Sequence, residues 1–388
     1  MNALLLILDG VGGLRSNKGT ALEEANKPNI DELAREGATG LMHVIGRGIV
    51  PGSDTGHLAI FGYEPKKYYH GRGPFEALGA KLELKHGDIA FRANFARVEK
   101  GIVVDRRAGR IETSEAKKLE PLINGIEIDG VRVIFKSTTE HRGVLVLRGE
   151  HLSPDVSDTD PHKTGVPPLK AKALSDEAEF TANIINKLSQ TIAERLEGKK
   201  ANYLLLRGAG RMHKAPSFYE KYGLKAAAIA GGALYKGVAR YVGMDVLEVE
   251  GATGDKHSNF KAKFEKAKEI SEDYDFVFLH VKATDSFGHD GDLEGKKSII
   301  EKIDKLIPII KGYFDLIVIT GDHSTPCIYK EHSGHPVPLL AYGKYVRKDE
   351  TMKFDEFEAM KGSLSHFKGL ELMDMILNWL KKQKKFGS

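Results

Sequence analysis

The chain has a single cysteine, Cys327, and a single tryptophan, Trp379, in 388 residues. One thiol excludes an internal disulfide and any cysteine-based metal cluster, and it fits a reducing compartment. No apolar run approaches the roughly 20 residues needed to cross a bilayer, so no membrane partner is expected. The apolar run Ala3–Leu8 stops at Asp9, lacks a basic leader and a cleavage site, and is too short for a secretory signal. A cytoplasmic location is therefore expected. Charge of one sign is scarce as well: 58 basic against 54 acidic residues leave a formal net charge of +4. That balance fits anionic small molecules and gives no reason to expect nucleic acid.

What the chain does contain is the mix of a soluble globular protein, with 41% hydrophobic and 29% charged residues. Its length exceeds what one core usually serves and points to two domains. The first segment alternates in the α/β manner, with a short buried strand over 3–8 and a helix over 28–36. The glycine-rich stretch 46–56 leads through Ser53, Asp54 and Thr55 into a helix reaching Phe61. After Gly73 the texture changes. Eight of the seventeen arginines fall between Arg92 and Arg148, among short β-like runs at 132–135 and 144–147. A polar, proline-containing stretch, 153–168, closes this segment. A helix over 175–197 follows, then strands at 203–206, 276–281, 316–320 and 337–341 with helices between. Continuously apolar strands are what a sheet buried on both faces requires. The expected fold class is α/β, with a central, mostly parallel sheet flanked by helices. Residues 1–75 and 169–388 are expected to form this core, and 76–168 an inserted α+β domain.

Metal-ligand residue types recur just past the expected strand ends. Asp9 follows the first strand, Asp285 and His289 follow 276–281, Asp322 and His323 follow 316–320, and His332 and His335 precede 337–341. Open α/β sheets gather ligands at the carboxyl ends of their strands. Taken singly, each residue has an ordinary reading. An aspartate after a strand commonly caps a turn, Asp285 and His289 share one face of a helical turn, and the two later histidines fit a surface. Four chain regions delivering such residues to one edge are better explained by a metal centre. Carboxylate and imidazole without thiolate suit Mn²⁺, Zn²⁺ or Mg²⁺. Two ions about 3.5–4 Å apart can clamp both oxygens of a phosphoryl transfer. Ser53 is the candidate nucleophile, because a glycine-rich turn into a helix offers free N–H groups to an anion. A metal at its Oγ would generate the alkoxide without a histidine base. Alone, Ser53 would read as a helix cap.

Together these residues stand in motifs that resemble a known family. The motifs are Leu8-Asp9-Gly10, Gly52-Ser53-Asp54-Thr55-Gly56-His57, Thr284-Asp285-Ser286-Phe287-Gly288-His289-Asp290 and Thr320-Gly321-Asp322-His323-Ser324-Thr325-Pro326, with His332-Ser333-Gly334 before Pro336-Val337-Pro338. They are similar to those of cofactor-independent phosphoglycerate mutases, in the archaeal-type branch within the alkaline phosphatase superfamily. The resemblance spans nearly the whole chain and includes the branch signature Asp105-Arg106-Arg107-Ala108-Gly109-Arg110. It implies an alkaline-phosphatase-like core and an isomerase of glycolysis and gluconeogenesis. Such an enzyme interconverts 2-phosphoglycerate and 3-phosphoglycerate through a phosphoserine, without 2,3-bisphosphoglycerate. Two divalent ions are implied, Mn²⁺ first, with Mg²⁺, Zn²⁺ and Co²⁺ as alternatives. By motif, Asp9, Ser53, Asp322 and His323 would hold one ion, and Asp285, His289 and His332 the other. His332 is aligned in preference to His335 because the family places its ligand four residues before the first proline. The inserted segment resembles the family's lid, and Arg106, Arg107, Arg110, Arg142 and, at the hinge, Arg72 would grip substrate.

A phosphatase and a mutase share the attack of Ser53 on phosphorus, but a mutase must then keep water out while glycerate turns. A closing lid does that. Guanidinium forks match the phosphate and carboxylate of such a substrate, and Asp105 beside them is the candidate acid/base. The alternatives are a metal-dependent phosphomonoesterase, a phosphopentomutase-like enzyme, or an anion- or RNA-binding protein reusing the basic segment. The last leaves the metal set unexplained and lacks aromatics interleaved with the basic residues. The partner expected is a phosphorylated small molecule, and a homo-oligomer stays open.

Overall fold

The computed structural model describes residues 1–387. They form two compact units, residues 1–69 with the chain from Ala215 onward, and residues 70–214. The strands are β1 (Ala3–Leu8), β2 (Ala38–His43), β3 (Ile89–Glu99), β4 (Ile102–Asp105), β5 (Glu127–Ile128), β6 (Val131–Ser137) and β7 (Arg142–Arg148). They continue with β8 (Tyr203–Gly210), β9 (Ala226–Ile229), β10 (Asp245–Val246), β11 (Phe276–Val281), β12 (Leu316–Thr320), β13 (Val337–Gly343) and β14 (Ser365–Lys368). The helices used below are α1 (Pro28–Glu36), α2 (Ser53–Ile60), α3 (Gly73–Gly79), α4 (Glu179–Arg195), α5 (Ala283–Asp290) and α6 (Leu293–Asp304).

The first unit is built on a sheet of order β10-β9-β11-β1-β12-β13-β2-β14. Its centre is parallel, and β1, β11 and β12 are buried along their whole length, as their unbroken apolar sequences require. Helices α1 and α6 set Ile30, Leu33, Ile299, Ile300 and Ile303 into the core against one face of the sheet. Each such side chain contributes about 1.5–3 kcal/mol when fully buried.

Register fixes where the chemistry emerges. Leu8 pairs with Val281 and Ile7 with Thr320, so the residues after β1, β11 and β12 leave the sheet at one edge. Strand β13 runs antiparallel to β12, with Ile319 opposite Leu340, so the loop before β13 returns to that same edge. Strand β2 is antiparallel to β13 in turn, with Met42 opposite Val337, and carries the chain toward α2 there. The expected mostly parallel α/β core is thus present, and the antiparallel β13 is what lets a histidine preceding a strand join aspartates that follow strands.

The second unit holds a sheet of order β4-β3-β7-β6-β5, with β8 pairing β3 on its other side. Its core joins Phe91, Phe95, Phe135, Leu145 and Leu147 of the sheet to Ile184, Ile185, Leu188 and Ile192 of α4. The unit is therefore wider than the expected 76–168. The strand over 203–206 belongs to this sheet and not to the central one, with Leu206 opposite Ala93. An apolar run signals burial without saying in which sheet, and eleven-residue β3 offers a long second edge. Among the described residues no helix is long and apolar enough to cross a membrane.

Candidate active site

Two overlapping donor groups lie at that sheet edge: Asp9, Asp322 and His323, and Asp285, His323 and His332. In the first, Nε2 of His323 lies 3.3 Å from Oδ1 of Asp9 and 3.4 Å from Oδ2 of Asp322. In the second, Nε2 of His332 lies 3.6 Å from Oδ1 of Asp285, and His289, outside both groups, brings its Nε2 to 3.4 Å from the same oxygen. The rings of His323 and His332 stack at 3.6 Å. The hydroxyl of Ser53 sits 3.2 Å from Nε2 of His323, so all seven residues expected to bind metal meet in one place. His335 stands apart: its Nδ1 meets Ser333, and it belongs to neither group.

The backbone explains how so many side chains converge. Gly10 has φ +62°, and a Cβ there would lie 2.5 Å from Thr325 Oγ1 and 2.8 Å from Asp285 Oδ1, so glycine alone fits the turn after Asp9. Gly56 permits α2 to approach the Asp322 carbonyl, which a Cβ would meet at 2.6 Å. Ser53 does not cap α2. Gly52 is the cap residue, and Thr55 Oγ1 accepts from its N–H and donates to its carbonyl. The Ser53 side chain is left for other work, 6% exposed.

Three imidazoles share one arrangement. Nδ1 of His332 meets the Pro51 carbonyl at 2.9 Å, and Nδ1 of His289 meets the Lys330 carbonyl at 2.8 Å. Thr325 Oγ1 donates to Asp285 Oδ1, so Nδ1–H of His323, 3.0 Å away, donates to Thr325. Each Nδ1 is a donor, and each Nε2 faces the carboxylates, as metal-ligating histidines require. Burial, then the neighbouring His323, pushes His332 down to about 4, leaving it neutral.

The carboxylates are crowded. Burial and then Asp9 push Asp322 up to about 7. Asp9, despite its burial, is held well below the usual carboxylate range by Lys282, His280 and His323. His323 is raised against its burial by Asp322 and Asp9, and its Nε2 lies among Asp9, Asp322 and Ser53. Apart from these contacts with His323, Oδ1 of Asp9 and Oδ2 of Asp322 are buried without a hydrogen-bond partner among the described residues. Buried carboxylate oxygens of this kind are what a divalent cation would satisfy. The residues fit the metal that the sequence implies.

In the second unit the arginines divide. Arg106 is bound in fork fashion to Asp160, with Nε to Oδ1 at 2.8 Å and Nη2 to Oδ2 at 2.7 Å. Asp105 accepts from the N–H groups of Arg107 at 2.7 Å and Gly109 at 2.6 Å. It thereby holds a turn in which Ala108 and Arg110 have positive φ. Another set gathers at α3. Nε of Arg72 lies 2.9 Å and Nη1 of Arg92 3.6 Å from one carboxylate oxygen of Glu76. Burial and the nearby Arg72, Arg207 and Arg142 push Arg92 down to about 9. Nε of Arg207 is buried without a hydrogen-bond partner among the described residues. This cluster carries more guanidinium than carboxylate, and it suits an anion.

Comparison with known proteins agrees with this chemistry. The family profile described as 2,3-bisphosphoglycerate-independent phosphoglycerate mutase matches residues 34–202. A curated protein of that name from Methanocaldococcus jannaschii is 48% identical, over 99% of this chain and 98% of its own. One from Pyrococcus horikoshii is also 48% identical, over 99% of this chain and 98% of its own. The chain belongs to the 2,3-bisphosphoglycerate-independent phosphoglycerate mutases. A solved structure of the cofactor-independent phosphoglycerate mutase from Thermoplasma acidophilum is 35% identical, with TM-score 0.70, over 97% of this chain and 99% of that one. A second structure, of a Pyrococcus horikoshii protein, is 40% identical with TM-score 0.86, over 100% and 99% of the two chains.

Within this mutase fold, four residues at the two sites escaped the sequence reading. His280 meets Asp9 Oδ2 at 3.0 Å, and Lys282 bridges Asp9, at 3.3 Å, to Asp285. His280 lies inside an apolar strand and Lys282 just past it, where strand character masks them. The only available signal was a buried-strand histidine followed by lysine at the edge that carries the aspartates. Arg92 and Arg207 were passed over for the same reason, being strand residues among apolar neighbours.

Proposed function

We propose that this chain interconverts 2-phosphoglycerate and 3-phosphoglycerate through a phosphoserine on Ser53, without 2,3-bisphosphoglycerate, in the cytoplasm. The observation that carries the reading is the Ser53 hydroxyl, 3.2 Å from an imidazole common to both donor groups. Asp9, Asp322, His323 and Ser53 would hold one divalent ion, and Asp285, His289 and His332 the other, with Mn²⁺ the first choice for this oxygen–nitrogen set. When bound, such ions lower the pKa of the serine hydroxyl and neutralise charge on the phosphoryl oxygens.

The chain's own residues do the rest. Ser53 Oγ gives up its proton and forms a bond to phosphorus, the bond from phosphorus to the glycerate oxygen breaks, and that oxygen takes up the proton that the serine released. In the second half the other hydroxyl of glycerate attacks phosphoserine, loses its proton, and Ser53 is restored. The N-terminus of α2 presents the positive end of its dipole to the phosphoryl group. Lys282, between Asp9 and Asp285, fixes the spacing of the two groups. We assign the grip on glycerate to Arg72, Arg92, Arg142 and Arg207, with Arg107 and Arg110, and the exclusion of water to the second unit as a lid. Arg106, with its fork on Asp160, and Asp105, with both oxygens on the turn, are assigned to holding that arginine-bearing loop.

The deciding experiment incubates the Mn²⁺-loaded protein with 3-phosphoglycerate, with and without 2,3-bisphosphoglycerate, and measures 2-phosphoglycerate and inorganic phosphate. Isomerised product that does not depend on added bisphosphate is expected. Free phosphate as the main product would replace the mutase with a phosphomonoesterase.

A further inference from the structure

Lys296 of α6 is a buried lysine with no role in the chemistry above. It is 1% exposed, and among the described residues its ammonium forms no ion pair. Its three N–H groups instead meet three backbone carbonyls: Gly10 at 2.7 Å, Thr325 at 3.0 Å and Gly12 at 3.4 Å. Gly10 and Gly12 belong to the loop that follows Asp9, and Thr325 to the loop that follows Asp322 and His323. These loops are also bound to each other, the N–H of Thr325 donating to the carbonyls of Gly10 at 3.2 Å and Gly12 at 3.1 Å. An ammonium with three donors and no acceptor is fully satisfied here by carbonyls alone.

The same residues reach the donor groups directly. The Gly10 N–H donates to Asp322 Oδ1 at 3.1 Å. The Thr325 hydroxyl donates to Asp285 Oδ1 at 2.8 Å and accepts from His323 Nδ1 at 3.0 Å. One side chain therefore stands a single residue away from Asp322 and His323 of one group and from Asp285 of the other. Burying an unpaired lysine is costly, and its pKa is lowered by that burial. A leucine or methionine would fill the position more cheaply if packing were its task.

Resting on the two-ion reading above, we propose that Lys296 is a positioning residue that sets the two metal-binding groups against each other by clamping their loops. It touches neither metal nor substrate. Its removal loosens Asp322 and His323 together with Asp285, so both ions lose affinity at once. Simple electrostatics predicts the opposite sign, because deleting a cation near two dications should tighten their binding. The sign of the change therefore separates positioning from charge.

The test is calorimetric titration of metal-stripped protein with Mn²⁺ alone, alongside thermal unfolding in EDTA, for wild type, Lys296→Met, Lys296→Gln and Ile303→Val. Ile303 lies on the same helix, seven residues further on, and is buried in the core. Lys296→Met is expected to weaken both Mn²⁺ sites at least tenfold. Lys296→Gln, whose amide can still donate to two carbonyls, should fall between it and wild type. Ile303→Val should lower the unfolding temperature while leaving Mn²⁺ affinity within twofold. Unchanged or tighter Mn²⁺ binding by Lys296→Gln and Lys296→Met overturns the proposal. So does a loss in Ile303→Val that matches theirs at equal destabilisation. Wild type that binds no Mn²⁺ overturns the two-ion reading itself, a separate result from any difference among the variants.

Discussion

The hydroxyl of Ser53 lies 3.2 Å from Nε2 of His323, and the carbonyl of the same serine accepts from Nδ1 of the buried His57 at 2.6 Å. The residue is thus held at its backbone while its hydroxyl faces the donor groups. It sits at the first position of α2, where neither capping nor packing needs a hydroxyl. Ser53→Ala should reduce isomerisation by about 1000-fold or more, as loss of a covalent nucleophile does. Radiolabel from ³²P-phosphoglycerate should remain on acid-quenched wild type, at the peptide containing Ser53, and be absent from the variant. An active Ser53→Ala protein would remove the covalent route.

His332 and His335 are three residues apart and differ completely in surroundings. His332 stacks on His323 and faces Asp285, while His335 meets Ser333. His332→Ala should lose Mn²⁺ and activity by about 10–100-fold or more, whereas His335→Ala should stay close to wild type. EDTA should abolish activity in wild type and Mn²⁺ should restore it. Metal content and turnover measured on both variants check the ranking, and the reverse order would place the ligand at His335.

Glu356 is a buried acid outside the metal groups, accepting from the Gly13 N–H and the Thr20 hydroxyl, each at 2.7 Å. Burial pushes it up to about 7 from an ordinary 4.5. Below pH 4.5 both folded and unfolded states hold the proton, and nothing is lost. Between 4.5 and 7 the unfolded chain ionises first, so stability falls as pH rises, by on the order of 3 kcal/mol in total. Above 7 the loss is constant. Glu356→Gln keeps an acceptor for Gly13 and cannot ionise. Urea unfolding of metal-free protein should therefore show the variant gaining on wild type across that window. A difference independent of pH would mean that Glu356 is ionised in the folded state.

The sequence was most informative where chemistry and sheet topology coincide. Asp9, Asp285 and Asp322 each follow a continuously apolar strand, and parallel register brings such positions to one edge whatever the loop lengths. His332 was harder to place, because it precedes its strand and reaches the edge only through the antiparallel β13. The strand at 226–229 was not anticipated: Ala226, Ala227 and Ala228 read as helix formers, yet the sheet interior beside β11 has room for small side chains. The arginines show the opposite difficulty. Arg106 and Arg107 are adjacent in sequence, but it is Arg106 that forks onto Asp160, fifty-four residues away. No local pattern encodes a partner at that distance.

Arg207 offers the sharpest test of water exclusion. Its Nε is buried without a hydrogen-bond partner among the described residues, and burial, Arg72 and Arg106 push its pKa down against Asp160 and Glu76, so an anionic substrate group would suit it. In the proposed cycle glycerate must be held while phosphate resides on Ser53. Arg207→Ala should lower isomerisation by tenfold or more, since a hydrogen bond to a charged group contributes about 1.5–3 kcal/mol. If the same contact keeps glycerate in place of water, free phosphate released per isomerised product should rise as well, because phosphoserine is then hydrolysed. Arg106→Ala makes a poor substitute for this test, since it strands the buried Asp160 carboxylate and should cost stability before it alters partition. The measurement is the ratio of inorganic phosphate to 2-phosphoglycerate at matched conversion, in wild type and Arg207→Ala. A ratio that stays constant while the rate falls would confine Arg207 to binding substrate and leave water exclusion to other residues.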